Sequence, residues 1–125
     1  MPRDAFSSDE LTAPVGPFSP GVRAGALLFL SGQIALSPKT GQLITGDVAA
    51  QTEQVLQNLR TLLAAAGKSL ADVARVNVYL TDMRDFAQMN TVYARHFEAP
   101  YPARTTVAVS ALPLGAAIEI DLIAQ

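Results

Sequence analysis

Cysteine is missing from all 125 residues, and that one absence removes disulfides, thiolate metal sites and cysteine nucleophiles together. Redox compartment is therefore not written in the sequence. Long apolar runs are missing too. Half of the residues are hydrophobic, yet the longest runs are short stretches such as Ala26 to Leu30, well below the roughly 20 residues that span a bilayer. A soluble chain with no membrane contact is expected. Nine Lys and Arg stand against eleven Asp and Glu, for a net charge of −2, and the basic residues are scattered. No cluster could release many counterions from a nucleic acid, so no nucleic-acid partner is expected. Histidine occurs once, as His96, near the end of a predicted helix where a partly protonated imidazole suits the helix dipole, and it is assigned no catalytic part. The N-terminus carries Arg3, Asp4, Asp9 and Glu10 with no apolar segment close behind. It matches neither a secretory signal nor an Arg-rich, acid-poor transit peptide, which makes the cytoplasm the default address.

What remains suits one domain over residues 1–125, with one core and no room for a separate cofactor domain. Residues 1–13 have no period and read as a loosely ordered arm leading into the turn-rich stretch Pro14 to Pro20. Val22 and then Ala26 to Ile34 flank Gly25, a plausible hairpin turn, and Ser37-Pro38-Lys39-Thr40-Gly41 supplies a second turn. From Val48 the period changes. Val48, Val55, Leu56, Leu59, Leu62, Leu63 and Ala66 form one helical stripe, with Asp47 before it and Gly67 after. Val73 to Leu80 alternates as a strand, Ala74, Val76, Val78 and Leu80 on one side and Arg75, Asn77 and Tyr79 on the other. A second helix should run from Asp82 to about Phe97 with Phe86, Met89, Val92 or Tyr93, and Phe97 inward, until Pro100 and Pro102 forbid continuation. Two alternating runs follow, Ala103 to Ser110 and Ala117 to Ala124, joined through Leu112-Pro113-Leu114-Gly115.

Two helices cannot cover both faces of such a sheet, so both are expected on one face. The other face would display Arg104, Thr106 and Ala108, then Glu119 and Asp121, then Arg75, Asn77 and Tyr79. That mixed surface suggests contact between subunits.

Several pieces occur in a fixed order: Gly16-Pro17-Phe18-Ser19-Pro20-Gly21, Ser31-Gly32-Gln33-Ile34, Pro38-Lys39-Thr40-Gly41, a Gln-rich first helix with Asn58-Leu59, Val78-Tyr79-Leu80-Thr81-Asp82, Pro102-Ala103-Arg104, Leu112-Pro113 and Ile118-Glu119-Ile120. Each alone is weak, but their ordered co-occurrence over about residues 14 to 124 resembles the RidA, or YjgF, family of reactive enamine and imine deaminases. The resemblance implies an α+β, chorismate mutase-like fold, a mixed sheet with two helices on one face. It also implies a homotrimer with clefts between subunits, acting on small imino or keto acids without metal or organic cofactor. In the family, the arginine matching Arg104 holds the substrate carboxylate and the glutamate matching Glu119 activates the attacking water.

The physical logic stands beside the name. A guanidinium offers a planar, always charged fork that meets a carboxylate in two parallel hydrogen bonds, and a glutamate can take a proton from water and return it to the departing nitrogen. On spacing alone, a structural ion pair is the simpler reading of Arg104 and Glu119; the resemblance reverses the odds. If the last two strands form a hairpin, Arg104 lies opposite about residue 123, roughly 13 Å along the strand from Glu119, so a shared site more naturally takes one residue from each of two subunits.

The resemblance places Ser31, Gly32 and Asn90 in the same cleft; a strand-end bulge explains the first two equally well, and a solvent-facing helix position explains Asn90. Asp121, on the strand face of Glu119, is the rival base, with an ion pair as its plainer reading. Phe18 and Thr106 depart from the family pattern, which has tyrosine and cysteine there; both are counted among the substrate-binding positions. With only Lys39 and Lys68 as lysines, a chaperone-like role through chlorinated amines is disfavoured. The leading expectation is a 2-iminobutanoate/2-iminopropanoate deaminase. A noncatalytic keto-acid-binding regulatory trimer is the alternative, and an endoribonuclease is disfavoured by the acidic balance.

Overall fold

The computed structural model describes residues 2–125. Its strands are β1 (Asp4–Phe6), β2 (Gly21–Ala24), β3 (Leu27–Gln33), β4 (Val73–Leu80), β5 (Ala103–Ala108) and β6 (Ile118–Ala124), and its helices are α1 (Val48–Ala65) and α2 (Phe86–Tyr93). Among the described residues the strands form a single sheet in the order β1-β2-β3-β6-β4-β5. All neighbouring pairs are antiparallel except β4 and β5, which are parallel.

Local chemistry accounts for most element boundaries. Gly25 turns the β2–β3 hairpin in the left-handed region at φ 60°, where a side chain would be strained. Asp47 caps α1 by accepting from Ala50 N at 3.0 Å, and Gly67, at φ 75°, ends it. The helical stripe Val55, Leu56, Leu59, Leu62 and Leu63 is fully buried against Leu28 and Leu30 of β3, Val76, Val78 and Leu80 of β4, and Ile118, Ile120 and Leu122 of β6. Met89, Tyr93 and Phe97 join the same core, so both helices cover one face of the sheet, as expected. Burying a side chain of this size contributes about 1.5–3 kcal/mol.

Polar residues inside α1 are satisfied. Thr52 donates to Val48 O at 2.6 Å, and Asn58 donates to Leu36 O at 3.0 Å. Gln51 accepts from Ala117 N at 2.9 Å, which pins the start of β6 and with it the strand that carries Glu119.

Four expectations need correction. The N-terminal arm contributes β1, paired to β2 through Asp4↔Arg23 and Phe6↔Gly21; Phe6 packs on the core, its ring over Gly21. Three residues are too few to display a period. In β4, Val73 is buried and Ala74 exposed, because the pairing with β6 slips between Val73 and Arg75 and the bulge exchanges their faces. The second helix is shorter than expected: Asp82 accepts from Arg84 N at 2.9 Å and opens a 3-10 turn over Met83–Asp85, leaving α2 only Phe86–Tyr93. At its far end, Arg95 N and His96 N donate to Val92 O and Tyr93 O, the tight spacing of a closing helix.

The fourth correction matters most. β5 and β6 are not a hairpin: β5 runs parallel to β4 at the sheet edge, and β6 lies between β3 and β4. The unit β4–α2–β5 is a strand–helix–parallel strand crossover. Its register pairs Val76 with Arg104, Val78 with Thr106 and Leu80 with Ala108. Paired residues share a face, so Arg104, Thr106 and Ala108 lie on the helix side and not on the uncovered face. Thr105 is on the uncovered face, where its hydroxyl accepts from Arg75 Nη2 at 2.6 Å.

Candidate active site

Arg104 stands at the sheet edge beneath α2. Its guanidinium lies 4.6 Å from the centre of the Tyr93 ring and 5.7 Å from that of Phe86, and Nη1 is 4.0 Å from Met89 Sδ. No carboxylate pairs with it among the described residues. Arg104 opens onto a hollow of about 240 Å³ shared with Asn90, Tyr93, Ala94, Tyr101 and Pro102. Two buried hydroxyls, Tyr93 OH and Thr106 Oγ1, have no hydrogen-bond partner among the described residues. Burial pushes the Tyr93 phenol above its ordinary pKa, with the Arg104 charge opposing, so it remains a donor at neutral pH. The expected residues Asn90, Arg104 and Thr106 thus gather on one side.

Glu119 belongs to a different cavity, of about 470 Å³, whose walls include Phe18, Gly32, Leu114 and the N-terminal residues Leu11 and Val15. Burial first, and then the charge of Asp121, raise the Glu119 pKa above the usual carboxylate range. Gly32 lies against the Glu119 carboxylate. Phe18, half exposed, borders the same space. Ser31 is adjacent in sequence but does not line it: its hydroxyl donates to Ser19 O at 2.7 Å and its N–H to Pro20 O at 2.9 Å, fastening β3 to the preceding turn.

The two clusters do not meet within one chain. Arg104 is level with Val76 and Leu122, while Glu119 is level with Tyr79 and Val107. Two strand spacings and three residues of rise separate their Cα atoms by about 14 Å, and they lie on opposite faces of the sheet.

Asp121 is engaged at both carboxylate oxygens and His96 at both ring nitrogens. Asn77 Nδ2 donates to one Asp121 oxygen and the Tyr79 hydroxyl to the other, both at 2.8 Å; that bond is the main cause of a raised Tyr79 pKa. His96 Nε2 is 2.8 Å from Glu53 Oε1 and its Nδ1 is 3.2 Å from Arg60 Nη2. A guanidinium only donates, so Nδ1 accepts and Nε2–H donates to Glu53, whose pKa falls chiefly through that bond. His96 ties α1 to the turn after α2.

Sequence reasoning missed two contributors. Helical spacing offers Tyr93 only as an alternative to Val92 for an inward position, because its ring meets Arg104 through a crossover that no local period reports. The segment from Ser7 to Val15 walls the Glu119 cavity, though it has no pattern of its own. No helix among the described residues is long and apolar enough to cross a membrane.

These features define a small α+β protein that, among the described residues, has one sheet and two helices and presents a guanidinium without an acidic partner on one side and a half-buried carboxylate on the other. The chain belongs to the family described as endoribonuclease L-PSP, the YjgF/RidA family, whose model matches residues 9–125. It is 48% identical over 122 residues to a RutC family protein of Pyrococcus horikoshii, covering 98% of this chain and 97% of that one. It is 34% identical over 122 residues to a protein of Dermatophagoides farinae named 2-iminobutanoate/2-iminopropanoate deaminase, covering 98% and 95%. Among solved structures, RidA from an Antarctic Psychrobacter superposes with a TM-score of 0.93 at 43% identity, covering 98% of both chains.

Proposed function

We propose that the protein is an imine deaminase that hydrolyses 2-iminobutanoate and 2-iminopropanoate to the 2-keto acids and ammonia, working as a homotrimer in which Arg104 of one subunit and Glu119 of its neighbour share a cleft. The observation that carries this reading is the Arg104 guanidinium, held by aromatic faces and paired with no acid among the described residues. A cation whose directed donors are not spent inside the chain suits an anionic ligand. The deaminase name of the Dermatophagoides farinae relative supplies the substrate class.

The separation of Arg104 from Glu119 supports a second copy of the chain. So does the uncovered sheet face, where Phe29 and Val107 are each 40% exposed. In the cleft the Arg104 fork fixes the substrate carboxylate, and with it the adjacent imine carbon. Glu119, made more basic by its burial, takes a proton as water adds to that carbon and passes it to the imine nitrogen, giving a carbinolamine. It then takes the carbinolamine hydroxyl proton and delivers it to the amine, so that the C=O forms as the C–N bond breaks and ammonia leaves the keto acid. Asp121 is a poor rival because both of its oxygens already accept hydrogen bonds.

The test is to generate 2-iminobutanoate with a threonine dehydratase and follow 2-ketobutyrate release with and without this protein. Acceleration that depends on Arg104 and Glu119 is expected. No acceleration, together with calorimetric binding of 2-ketobutyrate, would replace this reading with a noncatalytic keto-acid binder.

A further inference from the structure

Gly32 occupies the irregular stretch of β3 where pairing with β6 slips between Leu30 and Gln33. Its backbone is outside the left-handed region, so the chain path does not itself demand glycine there. What forbids a larger residue is a neighbour. A Cβ built on Gly32 would overlap Glu119 Oε2 and lie 2.8 Å from Glu119 Cδ and 3.1 Å from Cγ, so its three nearest atoms all belong to that one side chain. Gly21 differs: its missing Cβ makes room for the Phe6 ring, which is packing of the core. Glu119 accepts no hydrogen bond and forms no ion pair among the described residues, so contact rather than bonding decides where its carboxylate rests.

We propose that Gly32 is a positioning residue for Glu119: the missing Cβ forms the seat that holds the carboxylate at the cavity it shares with Phe18 and Leu114. This rests on Glu119 being the base of the proposed hydrolysis. A methyl at position 32 would push the carboxylate toward solvent, and a displacement of about 1 Å in a reacting group can cost on the order of 100-fold in rate. The fold would tolerate it, since the displaced atoms end a flexible side chain and the backbone angle suits alanine.

The experiment compares Gly32→Ala with the wild-type trimer in three measurements. Melting temperature should hold or rise by a few degrees. For iminobutanoate hydrolysis, kcat should fall by roughly 10- to 100-fold with KM within about twofold, and the same substitution in a Glu119→Asp background should cost less than about threefold, because the shorter acid has already left the space. The Glu119 carboxyl titration, followed by 13C NMR and assigned through Glu119→Gln, should move down toward the ordinary carboxylate range as the group gains solvent. An unmoved titration overturns the proposal whatever happens to the rate, as does a rise in KM with kcat intact, which would make Gly32 a substrate contact instead. A shifted titration in a protein that hydrolyses no imine would uphold the seat while overturning the deaminase reading.

Discussion

Arg104→Lys separates a carboxylate clamp from a structural cation, because it keeps the charge and removes the planar fork. Arg104 pairs with no acid among the described residues, so the substitution breaks no ion pair. What the isolated fold loses is the stacking of a flat guanidinium at 4.6 Å from the Tyr93 ring centre and 5.7 Å from that of Phe86. At a partly exposed site that is worth about 0.5–1 kcal/mol, a few degrees of melting temperature. Function should lose more. A lysine ammonium cannot offer two parallel bonds to one carboxylate; if one charge-assisted bond of about 1.5–3 kcal/mol is lost from the transition state, kcat/KM falls by roughly 10- to 150-fold. The assay is kcat/KM for iminobutanoate hydrolysis, read beside the melting temperature and the mass by light scattering. Near-normal efficiency in an intact assembly would refute the clamp, and a loss that tracked melting temperature would return Arg104 to a packing role.

Light scattering after gel filtration should give three times the 13.2 kDa chain mass; a monomer at micromolar concentration would leave Arg104 and Glu119 unable to share a site. Glu119→Gln should keep keto-acid binding by calorimetry and lose most turnover, whereas Asp121→Asn should chiefly lower the melting temperature, since it disturbs the bonds from Asn77 and Tyr79; the opposite pattern would make Asp121 the base. Because burial and the Asp121 charge both disfavour the Glu119 anion, kcat/KM should rise with pH through a midpoint above the usual carboxylate range, and Asp121→Asn should lower that midpoint. The same raised pKa means that the folded state holds this proton more tightly than the unfolded one, so its contribution to stability falls as pH rises between the two midpoints. Thr106→Val removes a hydroxyl that has no partner among the described residues, so thermal unfolding should show it neutral or stabilising by up to about 1 kcal/mol; a clear loss of stability would reveal a missed partner.

The first helix and the strands β4 and β6 were legible in the sequence because they carry a period, whereas α2, at eight residues, fills only half of the expected span. The stripe from Val48 to Ala66 predicts α1 to within a residue, and alternation predicts β4 and β6 closely. Pairing was legible for the β2–β3 hairpin at Gly25 but not for the last two strands. The assumption that neighbouring strands form a hairpin placed Arg104 and Thr106 on the wrong face, because the run Ala103 to Ala108 reads the same in a parallel edge strand as in an antiparallel one. Only the register Val76↔Arg104 decides it. The candidate residues themselves came from ordered motifs, not from period, and so were unaffected by the topology error. Tyr93 shows the limit: helical spacing offers it or Val92 as core, and nothing local reports that its ring ends beside an arginine eleven positions later.

What the fold satisfies and what it leaves open separates structural polar groups from the remainder. Buried Thr52 and Asn58 spend their donors on carbonyls of the same chain. Asp121 spends both oxygens on Asn77 and Tyr79, and His96 is engaged at both ring nitrogens. Each of these could pass for a catalytic residue on chemistry alone, and each is accounted for by the fold. Arg104, Tyr93 OH, Thr106 Oγ1 and Glu119 are not, among the described residues. An unpaired buried hydroxyl costs about 1–3 kcal/mol, and a half-buried carboxylate with a second one nearby is disfavoured as an anion, so a fold selected for stability alone would have paired or removed them. That three of the four lie together on the helix side, while the fourth faces away across the sheet, is difficult to explain inside one subunit. It follows directly if each chain supplies complementary halves to two different clefts.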